Sequence, residues 1–138
     1  MLKYSFIFIL VIGYRLSVIG QTIVIKGKID TTYLSSANTI YAYTHDDYIS
    51  YREKELANSK PDEKGNFNLS FPVSSTTYIY LMVDNAKAEM VVEPNKTYDV
   101  TFLAKDSGAV NTLSIAVPVE LEFNNSNETE LNYLIADF

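Results

Sequence analysis

Apolar and polar residues alternate with the two-residue period of a β-strand along most of the chain after residue 20. The clearest case is Asn66–Phe71, in which Phe67, Leu69 and Phe71 alternate with polar residues. Asp62–Gly65 precedes it, with Asp first and Gly last, as is typical of a type I turn. A tight turn that leads into a strand with one apolar face is typical of an antiparallel sandwich. We therefore predict that these three apolar side chains face a core between two sheets.

The same pattern predicts further strands. Thr77–Val83 is apolar on both faces, which favours the middle of a sheet. Ile115–Phe123 alternates over nine residues, and its Pro118 cannot donate to a ladder, so we expect this strand at a sheet edge. Gly27 interrupts the apolar face of Gln21–Ile29, which indicates a bulge or a close approach by another segment. The remaining predicted strands are Thr39–Thr44, Glu53–Ser59, Lys87–Glu93 and Thr97–Leu103.

The N-terminal residues 1–20 have the pattern of an export signal. Lys3 supplies a positive charge, and the apolar run that follows is ended by Arg15, too early for a membrane-spanning helix of about 20 residues. We predict a signal peptide that is cleaved before Gln21; the alternative is an uncleaved membrane anchor.

The C-terminal residues 124–138 change to a helical period. Asn127 and Glu130 have the spacing of a capping box, and Leu131, Leu134, Ile135 and Phe138 fall on one helical face. The predicted short helix ends without a cap. It either docks on the sandwich or begins a downstream region that is missing from this chain.

These elements together predict an all-β fold: an antiparallel two-sheet sandwich, Ig-like or transthyretin-like, with roughly seven or eight strands. The sandwich domain spans residues 21–123, between the signal helix of residues 1–20 and the C-terminal helix of residues 124–138. A chain of 138 residues is long enough for one such domain with its own core.

Composition excludes several functions. The net charge is −6, and cleavage before Gln21 would remove two basic residues and no acidic one, so nucleic acid is not an expected partner. The chain has no cysteine, and therefore no disulfide, thiolate metal site, thiol nucleophile or acylated lipoprotein N-terminus. We expect no cofactor, and no membrane association once the signal has been cleaved.

Candidate catalytic chemistry is sparse. His45-Asp46-Asp47 is the one cluster with metal-ligand or acid–base character, but neighbours in an extended chain point in opposite directions, so we predict a solvated loop. Glu120 and Glu122 lie on the strand face opposite the apolar residues. We predict that this face is the solvent-exposed side of an edge strand. No serine stands in a nucleophile-elbow sequence beside the single histidine. We therefore predict no catalytic, cofactor-binding or metal-ligating residue.

Tyrosine is the chain's most abundant aromatic residue. A subset of the tyrosines could form an exposed aromatic face that binds a glycan or a protein, or could fill the core with hydroxyls at its rim. These residues are Tyr41, Tyr43, Tyr48, Tyr51, Tyr78 and Tyr80.

Three stretches carry a resemblance to a known family: Ile25–Ile29, Asp62–Phe67 and Val92–Val100. They resemble the N-terminal β-sandwich domain, of unknown function, of exported Bacteroidetes proteins, many of which continue into a thioredoxin-like thiol-disulfide oxidoreductase domain. The turn is also similar to those of carboxypeptidase-regulatory and transthyretin-like sandwiches. Asn95 stands where the family more often has Gly, and the redox Cys-x-x-Cys is absent, so the resemblance implies a fold and a compartment but no catalytic residue.

The resulting expectation is a non-catalytic exported module that positions or recognises something in the bacterial cell envelope, in the periplasm or at the outer membrane or cell surface. Its partner would be an envelope protein or a covalently linked downstream domain. One alternative is the N-terminal piece of a periplasmic thiol-disulfide oxidoreductase whose catalytic domain lies beyond Phe138. The other is a stand-alone hydrolase, which would require His45 in a cleft beside a carboxylate and a hydroxyl.

Overall fold

The structure, a computed structural model, describes residues 21–30, 39–47, 49–103, 116–125 and 131–132. This part of the chain is nearly all β-structure. Its nine strands are β1 (Gln21–Ile29), β2 (Ile40–Asp47), β3 (Arg52–Ser59), β4 (Asn66–Val73), β5 (Thr77–Val83), β6 (Ala86–Val92), β7 (Thr97–Phe102), β8 (Val117–Pro118) and β9 (Leu121–Phe123).

The strands form two mixed sheets. The first has the order β4-β1-β7-β9 and the second the order β3-β2-β5-β6-β8. The prediction of purely antiparallel sheets is wrong at two places, because β1 pairs with β7 and β6 pairs with β8 in parallel. Alternation along a strand reports which face is buried and carries no information about the direction of the neighbouring strand.

Buried side chains of both sheets form one core cluster, which makes the fold β-sandwich-like. Phe67, Leu69 and Phe71 of β4 are all buried in it, as the alternation predicted. The prediction for Thr77–Val83 is also confirmed, since β5 is the middle strand of the five-stranded sheet. The sequence pattern therefore identified the core-facing positions of β4 and the central place of β5 in its sheet.

The turn before β4 has the predicted geometry. The amide of Gly65 donates to the carbonyl of Asp62 at 2.9 Å, and Gly65 has a φ of +83°. The Asp62 carboxylate accepts the backbone amides of Lys64 at 2.9 Å and Asn66 at 2.8 Å. These bonds lower the pKa of Asp62, and a further bond from the side-chain amide of Asn66 lowers it most. The turn is thus fixed by one aspartate at its start and one glycine at its end.

Gly27 marks a close approach, one of the two outcomes that the sequence indicated. It lies directly opposite Phe67 in the β1–β4 pair, and that pair contains no register shift. A Cβ at Gly27 would lie 2.7 Å from Phe67 Cε1, closer still to Cζ, and 2.8 Å from the carbonyl oxygen of Val100. The ring of Phe67 therefore occupies the space that a side chain at position 27 would need.

The strand predicted over Ile115–Phe123 is divided. Val117–Pro118 pairs with the edge of the five-stranded sheet and Leu121–Phe123 with the edge of the four-stranded sheet, so this segment crosses between the two sheets. The edge position is confirmed: the amide of Val117 donates to the carbonyl of Asn85, just before β6, at 2.7 Å, and the amide of Val119 donates to Lys87 of β6 at 2.8 Å. Pro118 between them has no amide hydrogen to donate.

β2 and β4 extend beyond their predicted C-terminal ends. β2 continues to Asp47 because its last residues still pair with β3, across a register shift, and β4 continues through Pro72 to Val73 as an edge strand. Residues 1–20 lie outside the described residues, so the signal peptide remains a prediction. Of the predicted C-terminal helix, Leu131 and Asn132 are described with helical backbone; most of its other residues lie outside.

Candidate functional site

The tyrosines singled out in the sequence lie mainly on the outer face of the five-stranded sheet. Tyr41 and Tyr43 of β2 and Tyr78 and Tyr80 of β5 share the phase opposite to the buried Ile40, Ala42, Ile79 and Leu81, and Tyr43 pairs directly with Tyr80. None of these four belongs to the core cluster, whose tyrosine is Tyr98. The tyrosines thus form an outward aromatic face; Tyr48 lies outside the described residues.

The rings of this face stack against one another in a row that we call the aromatic ladder: Tyr41, Tyr43, Tyr80, His45 and Tyr51. Ring centroids are 5.8 Å apart for Tyr41–Tyr43 and 5.6 Å for Tyr43–Tyr80. His45 lies 5.5 Å from Tyr80 and meets Tyr51 edge-on at 5.7 Å. Because the ring faces largely cover each other, the ladder stiffens β2 and β5 and does not offer a flat stacking platform.

Tyr80 is the enclosed centre of the ladder. It is 0% exposed although it lies on the outer face, and the ammonium of Lys87 sits 4.4 Å from its ring centroid. No described group lies in hydrogen-bond geometry with its hydroxyl, but the negative charge of the nearby Glu53 carboxylate acts on that hydroxyl. Burial first, and then Glu53, raises the pKa of Tyr80, and burial and Glu55 raise that of Tyr43. Both phenols stay neutral at physiological pH, which makes them unsuitable as bases or nucleophiles.

Beyond the ladder, β2 and β3 are joined by a tightly held turn that we call the hairpin tip, Ile49–Tyr51. The Asp47 carboxylate accepts the amide of Ile49 at 2.9 Å, the amide of Ser50 at 3.3 Å and the Ser50 hydroxyl at 2.7 Å. These bonds lower the pKa of Asp47, the Ser50 hydroxyl contributing most. The tip is therefore preorganised by a single side chain.

The hairpin tip exposes large apolar side chains. Ile49 is 92% exposed and Tyr51 is 70% exposed, the exposed large hydrophobic residues of the described part of the chain. Tyr51 also has a φ of 51°, a conformation that non-glycine residues rarely adopt and that costs free energy on the order of 1–3 kcal/mol. An exposed apolar pair in a strained but rigid turn is a feature that folding alone does not require.

The three residues of His45-Asp46-Asp47 have separate roles. The prediction of a loop is wrong, since all three end β2, while Asp46 and Asp47 are exposed, as predicted. Asp46 forms an ion pair with Arg52 at 2.6 Å, Asp47 holds the turn, and the ring of His45 joins the ladder beside Tyr80 and Tyr51. The structure does not bring them together as one metal-binding group, and no group of three or more metal-ligating residues occurs among the described residues.

The second carboxylate pair is also separated. Glu122 lies in β9, whereas Glu120 precedes that strand, and both side chains are exposed, as predicted for the wet side of an edge. Nearby, an open groove of about 770 Å³ runs along β6 and the segment 116–123. The side chain of Asn132 closes one end of it by pairing with both backbone groups of Val91, at 2.8 and 2.7 Å.

The hairpin tip was missed in the sequence because Ile49 and Tyr51 fall in the least regular stretch. The spacing of Asp47 and Ser50 was a usable signal for a side-chain-capped turn. The partners of the tyrosines were missed as well. Glu53 comes from β3 and Lys87 and Glu89 from β6, two strands that only strand pairing brings beside the ladder.

Comparisons with known proteins find a likeness among solved structures. No protein-family model and no curated protein matches the chain. Among solved structures, it is similar to the crystal structure of a candidate cell adhesion protein from Bacteroides fragilis, with a TM-score of 0.41 and 10% sequence identity over 80% of this chain and 46% of that one. The chain spans less than half the length of that protein. A likeness of this size supports no inference about function, which is argued below from the residues of this chain.

Among the described residues, no helix is long and apolar enough to cross a membrane.

Proposed function

We propose that this chain is a non-catalytic, exported module that recognises or positions a partner protein in the bacterial cell envelope, and that the hairpin tip makes the contact. The exposure of Ile49 and Tyr51 carries this proposal. Interfaces are enriched in tyrosine and in apolar side chains that bury fully on contact, and a preorganised loop loses little entropy when it binds.

The surroundings of the tip favour a particular kind of partner. Around it the acidic residues Asp46, Asp47, Glu53 and Glu55 outnumber the basic residues Arg52 and Lys54. With a net charge of −6 for the whole chain, this surface repels anionic lipid and favours a protein with an apolar pocket and a basic rim. Electrostatic attraction of this kind mainly raises the association rate, so binding should weaken as salt increases.

The aromatic ladder supports the same surface. Its stacked rings link Tyr41 at one end to Tyr51 at the other, so the hairpin is backed by a rigid row of side chains. The phenols of Tyr43 and Tyr80 stay neutral, and the carboxylates of Asp46 and Asp47 are held by Arg52 and by the turn. We therefore propose recognition, and not hydrolysis, as the activity of this face.

Binding of the purified full chain to envelope fractions of the producing bacterium tests the proposal. We expect the wild type to bind saturably. The variants Ile49→Asn and Tyr51→Asn should bind with at least about tenfold lower affinity, because one buried anchor residue typically contributes 2 kcal/mol or more. Asn is chosen at position 51 because it tolerates a positive φ. The matched control is Glu63→Asn, in the exposed turn before β4. Equal binding by all four proteins, or no saturable binding by any, would contradict the proposal.

A further inference from the structure

The two long sides of the sandwich are closed differently. On one side, β8 and β9 cover the edges of the two sheets, and the Asn132 side chain bonds to β6 beyond them. On the other side, β3 and β4 are the terminal strands of their sheets. Unpaired edges can add a strand from another chain, and proteins usually protect them.

Only one of these two edges carries the usual protection along its length. β3 begins with four charged residues, Arg52 to Glu55, and its pairing with β2 has two register shifts. β4 contains no charged residue and pairs with β1 in one unbroken register over Gln21–Lys28. β4 is thus a long, regular and uncharged edge.

The direction of the β4 backbone groups follows from two hydrogen bonds of β1. The amide of Ile29 donates to the carbonyl of Gly65 at 2.9 Å, so odd-numbered residues of β1 bond towards β4. The amide of Val24 donates to the carbonyl of Lys96 at 3.1 Å, so even-numbered residues bond towards β7. In an antiparallel pair the bonded residues face each other, and the backbone groups of the residues between them point away. In β4 the outward groups therefore belong to Asn66, Asn68, Ser70 and Pro72.

Two of these four residues cannot offer both a free backbone amide and a free backbone carbonyl. The amide of Asn66 donates to the Asp62 carboxylate and its carbonyl accepts the amide of Asp62 at 2.9 Å. Pro72 has no amide hydrogen. The described residues provide no hydrogen bond to the outward groups of Asn68 and Ser70, both of which are exposed. The open stretch of β4 is therefore short and has a defined limit at each end.

We propose that a second copy of this chain fills this edge, with the two β4 strands pairing antiparallel about a two-fold axis at Leu69. In this register Asn68 lies opposite Ser70 of the second copy, and Ser70 lies opposite Asn68 of the second copy. Each pair exchanges two backbone hydrogen bonds, so that four bonds join the two four-stranded sheets into one sheet of eight strands.

The limits of the open stretch are complementary in this register. Asn66, whose backbone groups are already bonded to Asp62, falls opposite Pro72 of the second copy, which lacks a donor. In this register, therefore, no backbone amide at these positions lacks an acceptor. Pairing about Asn68 would instead leave both outward groups of Ser70 facing the blocked Asn66, and pairing about Ser70 would leave the outward carbonyl of Asn68 facing Pro72, which has no donor. The self-complementary pattern favours a second copy over an unrelated extended peptide.

Charge at this edge permits the same occupant. The chain has a net charge of −6, and most of its surfaces would repel a second copy. β4 contributes no acidic group to the contact, and the β1 side chains beside it on the outer face include Lys26 and Lys28. A contact made mainly by four backbone hydrogen bonds is small, so we expect a reversible dimer whose fraction rises with concentration.

Sedimentation velocity of the full chain over a range of concentrations tests the dimer. The double variant Asn68→Lys with Ser70→Lys places two pairs of lysines directly opposite each other, which should raise the dimer dissociation constant by at least about tenfold. The variant Asn68→Lys with Ser70→Glu places opposite charges in the same positions and should restore dimerisation. The control Thr97→Lys with Glu122→Gln changes the net charge by the same amount as the double lysine variant, at exposed positions away from this edge, and should leave the dimer intact.

Circular dichroism of each variant confirms that it is folded. A wild-type chain that stays monomeric at every concentration overturns the proposal. So does a dimer that the double lysine variant leaves unchanged, since its contact must then lie elsewhere. Failure of the mixed-charge variant to recover would exclude the register about Leu69. None of these results depends on the hairpin tip.

Discussion

Replacing Gly27 with alanine should destabilise the protein, although alanine in a strand interior is normally the better residue. The added Cβ would lie 2.7 Å from Phe67 Cε1 and 2.8 Å from the carbonyl oxygen of Val100, both well inside van der Waals contact. Overpacking of a core costs about 1–3 kcal/mol, while the loss of glycine's freedom in the unfolded chain returns about 0.4–1 kcal/mol. We expect a net loss of about 1–2 kcal/mol in the free energy of unfolding, or a fall in Tm of roughly 4–10 °C.

A double-mutant cycle identifies the cause. Phe67→Leu removes the far end of the ring and should cost stability alone, because Phe67 is buried. Combined with Gly27→Ala, it makes room for the new methyl group. The double variant should therefore lose about 0.5–2 kcal/mol less free energy of unfolding than the sum of the two single losses. Urea unfolding followed by circular dichroism measures all four proteins. A Gly27→Ala protein as stable as the wild type, or strictly additive losses, would refute the packing argument.

Three further substitutions test other parts of the structure. Gly65→Ala should lower the urea midpoint, because the φ of +83° is strained for alanine and its Cβ would lie 2.5 Å from the carbonyl oxygen of Ile29; an unchanged midpoint would contradict this. Asp62→Asn should lose stability mainly at neutral pH: hydrogen bonds lower the pKa of Asp62 in the folded state, so its contribution is present above the unfolded pKa and disappears as pH falls through the folded one. A stability difference that does not change between neutral and acidic pH would oppose this assignment. Asn132→Ala removes both partners of the Val91 backbone and should cost about 1–3 kcal/mol, with faster amide exchange at Val91; unchanged exchange would show that the side chain is not needed there.

The core positions and several strand boundaries were predictable because they depend on local alternation. β1 and β5 have the predicted boundaries, and the turn at Asp62–Gly65 has the predicted bonds. Asn95 has the positive φ of 62° that asparagine tolerates better than most residues. In each case a few neighbouring residues determine the conformation.

Features that depend on distant pairing were not predictable in this way. The apolar alternation over Ile115–Phe123 is continuous in sequence, yet its two halves pair with different sheets. The alternation continues across the crossing because both halves bury the same phase, which hides the change of sheet. The parallel pairing of β1 with β7 was equally hidden, since the sequence between them gives no sign of which strand lies next to which.

The candidate site shows the same division. The sequence singled out the tyrosines but left open whether they lie in the core or on the surface, and the structure places four of them on the outer face. The exposure of Ile49 could not be read from its sequence neighbours, because an isolated isoleucine in an irregular stretch fits a buried loop as well as an exposed tip.

The measurement that tests the proposed function most directly is photo-crosslinking in living cells of the producing bacterium. A photoreactive phenylalanine analogue replaces Ile49 in one strain and Glu63, in the exposed turn before β4, in a second strain. If the hairpin tip recognises an envelope protein, illumination should give a discrete crosslinked species from position 49 that is absent from position 63. No crosslinked species from position 49, or the same species from both positions, would contradict a recognition role for the tip.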